Sequence, residues 1–316
     1  MVRKLFLPVG MVLAVVLSFF FPGVGIAVKK TCGSSAFIVL IFLVCGWQTH
    51  LKDVHFDRRF FTSFAVFGIL TLTAAPWLGA ALAKVFALDV WAATGLVVMA
   101  CMPPTLSSGI VMTETSGGNV MLGVLMTVFY NLLGVLTMPL MLTWCLASQE
   151  SIETHPLSMF ASLLLLVVLP FAVGFAAHKR TGRELPAFCS YIPSACVILL
   201  ILSFFSSAAE MFRTYPLKTL FAAGGAGLVL RVSLMLILWN AGRLLKLPEA
   251  DRKSAIFTAG SKTLTIAIAM LAILNAGDGP ALIPCMVFYF IQAIFDSLLA
   301  GKMGLSAQKK EKPASV

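Results

Sequence analysis

The sequence predicts an all-α polytopic membrane protein of ten transmembrane helices, arranged as two inverted five-helix repeats. Three observations carry this. Of 316 residues, 59% are hydrophobic and only 11% charged, whereas a soluble globular chain carries roughly 25% charged residues; mean hydropathy is +0.98. Apolar runs long enough to cross the hydrocarbon core, which takes ~20 residues, recur along the whole length. They are continuous rather than alternating, which excludes a membrane β-barrel. Two of the runs are interrupted by polar, helix-breaking stretches, Cys101-Met-Pro-Pro-Thr-Leu-Ser-Ser-Gly109 and Thr258-Ala-Gly-Ser-Lys-Thr-Leu-Thr265, about half a chain length apart. Paired interrupted helices at matching places in two halves point to the binding site of an inverted-repeat secondary transporter. Backbone that leaves helical geometry inside a membrane must be buried in protein or line a cavity, because lipid cannot satisfy its polar groups.

Taken in order, the first span covers about 5–27, where Arg3-Lys4 precede an apolar stretch to Ile26. A signal peptide would begin the same way, but this stretch is long enough to span, and keeping it makes the count even. The second and third spans, about 33–49 and 60–83, flank a polar linker from His50 to Arg59. The fourth, about 90–115, is broken, because Pro103 and Pro104 remove two backbone donors and prevent a regular helix. The fifth, about 119–147, carries Thr127, Tyr130 and Asn131; an isolated asparagine in a span commonly hydrogen-bonds a neighbouring helix. Glu114 and Asn119, near the inner end of the broken span, read as loop and cap residues.

After the linker from Ser148 to His155, the sixth and seventh spans cover about 157–177 and 188–209. The eighth, about 217–242, holds Arg231 and the run Gly224-Gly-Ala-Gly227. That run is not a phosphate loop: small residues inside a span let helices approach closely. The ninth, about 252–275, is broken around Gly260 and contains Lys262. The tenth, about 281–302, carries Asp296 in its inner half and leads into a basic tail, residues 305–316. The chain reads as one transmembrane domain, with repeats at about 1–148 and 156–304.

Orientation follows from Lys and Arg placement. With the N-terminus inside, the inner segments hold 16 basic residues and the outer ones 5, the latter Lys29, Lys30, Lys84, Arg213 and Lys218. Basic residues favour the cytoplasmic side, so both termini are expected there, in the cell membrane. The acidic loop Gln149-Glu-Ser-Ile-Glu153 then falls outside. The net charge of +10 is accounted for in this way and calls for no nucleic-acid partner; the tail fits weak attraction to anionic lipid heads. Five spans per half force the halves to insert in opposite orientations, which makes the two broken spans equivalents. The seven cysteines are odd in number, lack a CxxC spacing and lie mostly in apolar runs, as free thiols do. Four scattered histidines give no metal-ligand spacing, and neither a nucleophile elbow nor a dinucleotide fingerprint occurs. No cofactor or metal site is expected, and the chain does not read as an enzyme.

Cys101-Met-Pro-Pro-Thr-Leu-Ser-Ser, followed by Ser116-Gly-Gly-Asn119, resembles the fourth-helix signature of the bile acid:sodium symporter family. Phe257-Thr-Ala-Gly-Ser-Lys-Thr-Leu264 resembles the ninth-helix motif of its divergent, SBF-like branch. The resemblance covers essentially the whole chain. It implies a panel of helices 1, 2, 6 and 7, and a core of helices 3–5 and 8–10 in which the broken helices 4 and 9 cross. Better-known members couple organic anion uptake to two sodium ions bound at that crossing. Carried over, the fourth-helix Ser-Asn ligand pair falls on Ser107 and Ser108, a fifth-helix threonine on Thr127, a serine on Gly123, and a third-helix glutamine on Thr71. The ninth-helix glutamate falls on Thr258 and the glutamine four residues later on Lys262. The carboxylate is missing, and a cation stands where a neutral ligand should be.

Lys262 lies near mid-membrane, and an ionisable residue there is a functional hypothesis by default. It is either a proton carrier or a structural surrogate for sodium, its ammonium donating to Ser107, Ser108 and broken-helix carbonyls. Arg231 and Asp296 read as a buried ion pair tying two core helices together; alternatively, Arg231 holds a substrate anion or Asp296 accepts a proton from Lys262. The expected solute-contacting set is Thr105, Ser107, Ser108, Thr127, Asn131, Thr258, Ser261, Lys262 and Thr263. The function expected is secondary-active transport of a small organic, anionic solute by alternating access, not strictly sodium-coupled. The alternatives are a sodium-coupled organic anion symporter and a non-transporting membrane regulator on the same fold. An intramembrane enzyme would need a paired base and nucleophile or a metal cluster, and the sequence offers neither.

Overall fold

The computed structural model describes residues 2–49, 58–106, 108–147, 155–274, 276 and 280–311. Among them there is no strand, and α-helices account for most of the chain. Among the described residues, seven helical stretches are long and apolar enough to cross a membrane, and eight if a bent pair near the N-terminus counts as one.

That pair is α1 (Val2–Phe20) and α2 (Pro22–Cys32), which meet at 107°. The straight first span expected over 5–27 is therefore two helices. Pro22 stands in the first turn of α2 and Phe21 is non-helical at φ −133°, ψ 63°, since the residue before a proline is pushed out of the α region. Next comes α3 (Ser34–Gln48), which is apolar but only 15 residues long.

Two later stretches stay continuous through a π-turn. One runs from α4 (Arg58–Ile69) through Leu70–Ala74 into α5 (Ala75–Val85), the other from α9 (Pro156–Leu163) through Leu164–Val168 into α10 (Leu169–Thr181). A proline follows each π-turn two residues on, Pro76 and Pro170. Its missing N–H is what shifts the hydrogen-bond register.

The fourth span is broken as expected, into α6 (Val90–Cys101) and α7 (Ser108–Thr115), with Met102 to Thr105 non-helical between them. The 27-residue α8 (Val120–Leu146) follows. A 3-10 turn leads into α11 (Ile192–Thr214), and α12 (Leu217–Leu244) comes next. The ninth span runs as α13 (Glu249–Ser254) and a π-turn, Ala255–Ala259, then breaks before α14 (Leu264–Ile273); α15 (Leu282–Glu311) closes the order.

Packing divides the helices into two groups. In one, α11 lies against α1, α2 and α3, while α10 crosses α3. At that crossing a Cβ on Gly46 or Gly174 would collide with a carbonyl of the opposite helix. The other group packs α4, α6, α7, α8, α12 and α15 around the ninth span, with α5 against α6, α8 and α12. The most apolar stretch of that span is 89% buried, against 28% for Pro156–Thr181. The ninth span is thus the interior of the protein, and the polar residues in it must be satisfied by protein. The links between the groups include α14 against α3 and α8 against α9.

Ser107, the acidic loop with Glu150 and Glu153, the tail beyond Glu311 and the linker around Lys52 lie outside the described residues.

Candidate site at the two helix breaks

The site is best built from backbone carbonyls that have lost their helical donors. A buried carbonyl without a partner is costly, so each must go somewhere. At the first break, Met102 O accepts from Lys262 Nζ at 2.9 Å. Pro103 O accepts from the backbone N–H of Thr263 at 3.1 Å. Pro104 O accepts from Asn131 Nδ2 at 3.0 Å. Two of these three donors come from the second break, so the two breaks touch directly. Ser261 extends the link: its Oγ lies 3.1 Å from Thr105 Oγ1 and accepts from the Thr105 N–H at 3.2 Å.

Lys262 is fully buried. Its second acceptor is Thr71 O at 2.8 Å, and the sequence explains why that oxygen is free. In a regular helix it would accept from Ala75, but the π-turn directs the Ala75 N–H to Leu70 O. The next residue, Pro76, has no N–H. The proline and the π-turn therefore present a bare carbonyl, and the ammonium takes it. The backbone of Lys262 is held separately: its N–H donates to Gln292 Oε1 at 2.8 Å, and its carbonyl accepts from Gln292 Nε2 at 3.0 Å.

At the second break the orphan carbonyls belong to the end of the first half-helix. Arg231, also fully buried, donates from Nη2 to Ile256 O at 3.0 Å and from Nη1 to Gly260 O. The same guanidinium holds Asp296 bidentately, Nε to Oδ1 at 2.8 Å and Nη2 to Oδ2 at 2.7 Å. A Cβ on Gly260 would press on Arg231 Nη1, so only glycine leaves room for this contact. Each broken helix thus ends its first half on a cation, which suits the partial negative charge of a helix C-terminus.

The hydroxyls form a second set. Thr105 Oγ1 accepts from Ser108 Oγ and from the Gly109 N–H, both at 2.9 Å, and so caps α7. Thr258 Oγ1 pairs with Thr113 Oγ1 at 3.0 Å, and Thr263 Oγ1 with Thr265 Oγ1 at 2.9 Å. Thr127 donates to Gly123 O of its own helix at 2.9 Å.

Several expectations need correction. Of the acceptors expected for the Lys262 ammonium, a broken-helix carbonyl is one, Met102 O, but the second is Thr71 O and the hydroxyl of Ser108 is engaged with Thr105; Ser107 is outside the described residues. Thr71 contributes its main-chain oxygen, and its hydroxyl is buried without a partner. Both oxygens of Asp296 face Arg231, so the carboxylate is not aimed at Lys262. Tyr130 donates to Phe64 O at 2.6 Å and ties α8 to α4. Asn119, by contrast, is the cap residue expected: its side chain accepts from the Leu122 N–H at the start of α8 and donates to Asp251 Oδ1 at 2.8 Å.

Sequence reasoning misses Gln292 and Thr113. Gln292 has a signal: it is polar, lies in an apolar span, and stands four residues before Asp296, on the same helix face. Thr113 has none that separates it from an ordinary helical threonine.

A small cavity adjoins the breaks. It measures about 20 Å³ and is lined by Thr105, Ser108, Thr263, Thr265 and Tyr289, with Ile41 of α3 and Val197 of α11 closing it from the other helix group.

The SBF-like CPA transporter family (DUF4137) matches residues 6–304. The chain is similar to the probable sodium/metabolite cotransporter BASS4, chloroplastic, of Arabidopsis thaliana, 26% identical over 314 residues, 93% of this chain and 71% of the relative. It is also similar to sodium/bile acid cotransporter 7 of Mus musculus, 25% identical over 319 residues, 94% and 92% of the two chains. The protein of that name from Danio rerio is 25% identical over 320 residues, 94% of this chain and 93% of its own.

Proposed function

The chain belongs to the SBF-like CPA transporter family, and on that premise we propose that it is a secondary-active carrier of a small organic anion that does not require sodium. The family and the relatives are transporters, not enzymes, and the chain is an integral membrane protein by its apolar helices. In this reading the bent first span, the short α3 and the broken fourth span complete ten crossings in two inverted repeats. Both termini are cytoplasmic, in the cell membrane, and transport proceeds by movement of the two helix groups against each other.

One observation carries the coupling part. The Lys262 ammonium sits on two carbonyl oxygens, at 2.8 and 2.9 Å, at the junction of the breaks. Among the described residues, the charges assembled there are Arg231 and Lys262 against Asp296 alone. The surplus is positive, and it favours the approach of an anion to the breaks, beside the N-termini of α7 and α14; the adjoining cavity, about 20 Å³, has room for no more than a water molecule in this conformation. Thr258, whose hydroxyl pairs with Thr113, supplies no charge to hold a sodium ion. The residues present therefore do not suit sodium as co-substrate.

The second reading is sodium-coupled symport, which the relatives' names favour. Proteoliposomes separate the two. Counterflow of an organic anion that proceeds equally in sodium, potassium and choline supports the first reading. A saturable sodium dependence establishes the second. No flux with any organic anion tried, but ligand-dependent stability, points to a regulator.

A further inference from the structure

The corner where α12 ends and α13 begins lies at one membrane face, the inner one in the topology proposed above. From Arg243 to Lys253 it carries four basic residues, Arg243, Lys246, Arg252 and Lys253, against two acidic ones, Glu249 and Asp251. Both acids are engaged away from Arg252. Glu249 pairs with Lys253 at 3.1 Å, and Asp251 accepts from Asn119 Nδ2 at 2.8 Å. Arg252 is left without a carboxylate, and an arginine cannot shed its charge.

The side chain is nonetheless held in place. Its stem lies on α12 where Gly242 stands, so close that any Cβ there would collide with Cγ. The guanidinium sits over Trp239, 4.5 Å from the ring centre, where a planar cation gains from the indole face. Among the described residues it has no hydrogen-bond acceptor and no ion pair, and its Nε is buried without a partner. The two Nη atoms, unlike Nε, are not closed off. A desolvated donor without an acceptor is unfavourable. A guanidinium held flat with its outer N–H groups open is arranged to take a phosphate bidentately.

The face of α12 beside it indicates where that phosphate comes from. Leu236, Trp239 and Arg243 follow at helical spacing and share one face. Leu236 is 57% exposed and its neighbour Ile237 41%; Trp239 is partly buried and Arg243 is exposed. From mid-span outward the face therefore runs aliphatic, aromatic, cationic. A phospholipid presents acyl chain, glycerol and phosphate in that order, and tryptophan favours the level where the two media meet. A free phosphate would meet the cations but leave the aliphatic part unused. A zwitterionic lipid would bring its own cation against Arg243.

We propose that Arg252, on its Trp239 platform, and Arg243 form a binding site for the headgroup of an acidic phospholipid. The site requires that α12 spans the membrane and is independent of the carrier reading.

The test is native mass spectrometry of the full-length protein in detergent, titrated with palmitoyl-oleoyl phosphatidylglycerol or with phosphatidylcholine of the same chains. The first phosphatidylglycerol is expected to bind about tenfold more tightly than the first phosphatidylcholine. Arg252→Gln should erase this preference and leave phosphatidylcholine binding unchanged. Arg252→Lys keeps the charge without the fork, and Trp239→Leu keeps the arginine without its platform; each should weaken phosphatidylglycerol binding about threefold. These two variants decide the matter if Arg252→Gln does not fold. Lys218→Gln, at the other end of α12, should bind as the native protein does. Glycerol phosphate, which lacks the acyl chains, should not displace the lipid even in large excess. Equal affinity for the two lipids would overturn the proposal. So would a preference that survives all three substitutions in the site, which would mean diffuse attraction to a basic surface. Displacement by glycerol phosphate would mean a site for a soluble anion and would overturn it as well. None of these outcomes touches the carrier reading, which flux decides.

Discussion

If Lys262 keeps sodium out of the breaks, as proposed, neutralising it should create sodium affinity. A sodium ion using either of the lysine's oxygens would bind at roughly 2.3–2.5 Å. The ammonium is 2.8 Å from Thr71 O and 2.9 Å from Met102 O. Even with the oxygen directly between them, the two cations would then be no more than about 5.4 Å apart. At an effective dielectric of about 20, repulsion at that separation is about 3 kcal/mol, and about 4 kcal/mol at 4 Å. About 1.4 kcal/mol is tenfold, so the native site binds sodium at least about 100-fold more weakly than the same site without the charge. If Lys262→Gln binds sodium with a Kd near about 10 mM, about 100 mM sodium stabilises it by about 1.4 kcal/mol, whereas the native protein gains under about 0.1 kcal/mol. Thermal unfolding in sodium, potassium and choline chlorides measures this as a shift of about 3 °C, specific to sodium. Adding Thr258→Glu should strengthen the effect by returning a carboxylate, although Thr258 is fully buried against Thr113 and the longer side chain will cost about 1–3 kcal/mol of packing. A sodium-specific, saturable stabilisation of the native protein would refute this reasoning. Sodium indifference of both substituted proteins would refute the placement of the ion.

Three further outcomes are expected. Arg231→Met should lower stability by about 3–5 kcal/mol, because it leaves Asp296 charged and buried and frees Ile256 O and Gly260 O; adding Asp296→Leu should recover part of the loss in a double-mutant thermal cycle, and no recovery would mean that the carbonyl contacts dominate. Thr71→Val should leave melting temperature and uptake unchanged within error, since the lysine uses the main-chain oxygen and the lost hydroxyl has no partner; loss of uptake would show that the side chain takes part. A cysteine placed at residue 310 should resist an impermeant thiol reagent in intact cells, while one placed at Glu150 should react; the reverse pattern would invert the topology.

The breaks are legible in the sequence because prolines and glycines act on the backbone locally. Pro103 and Pro104 interrupt their helix by chemistry that needs no neighbour, while Gly260 marks the second break by making room for Arg231. The buried charges are legible for a similar reason: in a span, Arg231, Asp296 and Lys262 have only one another and freed backbone for company. The backbone's part in the site is hidden. Thr71 draws notice for its side chain, but its contribution is a carbonyl set free by Pro76 and a π-turn, and a register shift leaves no residue-type signature of its own. The 107° bend at Pro22 is within reach, since a proline at the head of a helix-forming stretch is a start signal. The length of the apolar run hides it, because length cannot tell one straight span from two short helices.

The two breaks pose one physical problem twice, and the chain answers it with two different cations. Each first half-helix ends on carbonyls that lipid cannot satisfy and carries roughly half a negative charge. The ninth span meets this with Arg231, whose own charge is balanced by Asp296. The fourth span meets it with Lys262, whose acceptors are neutral carbonyls. That asymmetry matters more than the presence of either residue. A balanced Arg–Asp pair exerts little field a few ångströms away, so it can serve as scaffold through every conformational state. An ammonium held by carbonyls keeps its field, and that field acts on whatever enters the space beside Thr105, Ser108 and Thr263. An anion there relieves the surplus, and a second cation adds to it. The polarity of the solute and the dispensability of sodium are therefore one inference, drawn from the same uncompensated charge. If flux of an anion proved to need sodium, the expectation of an anion would lose its main electrostatic support along with the claim about coupling.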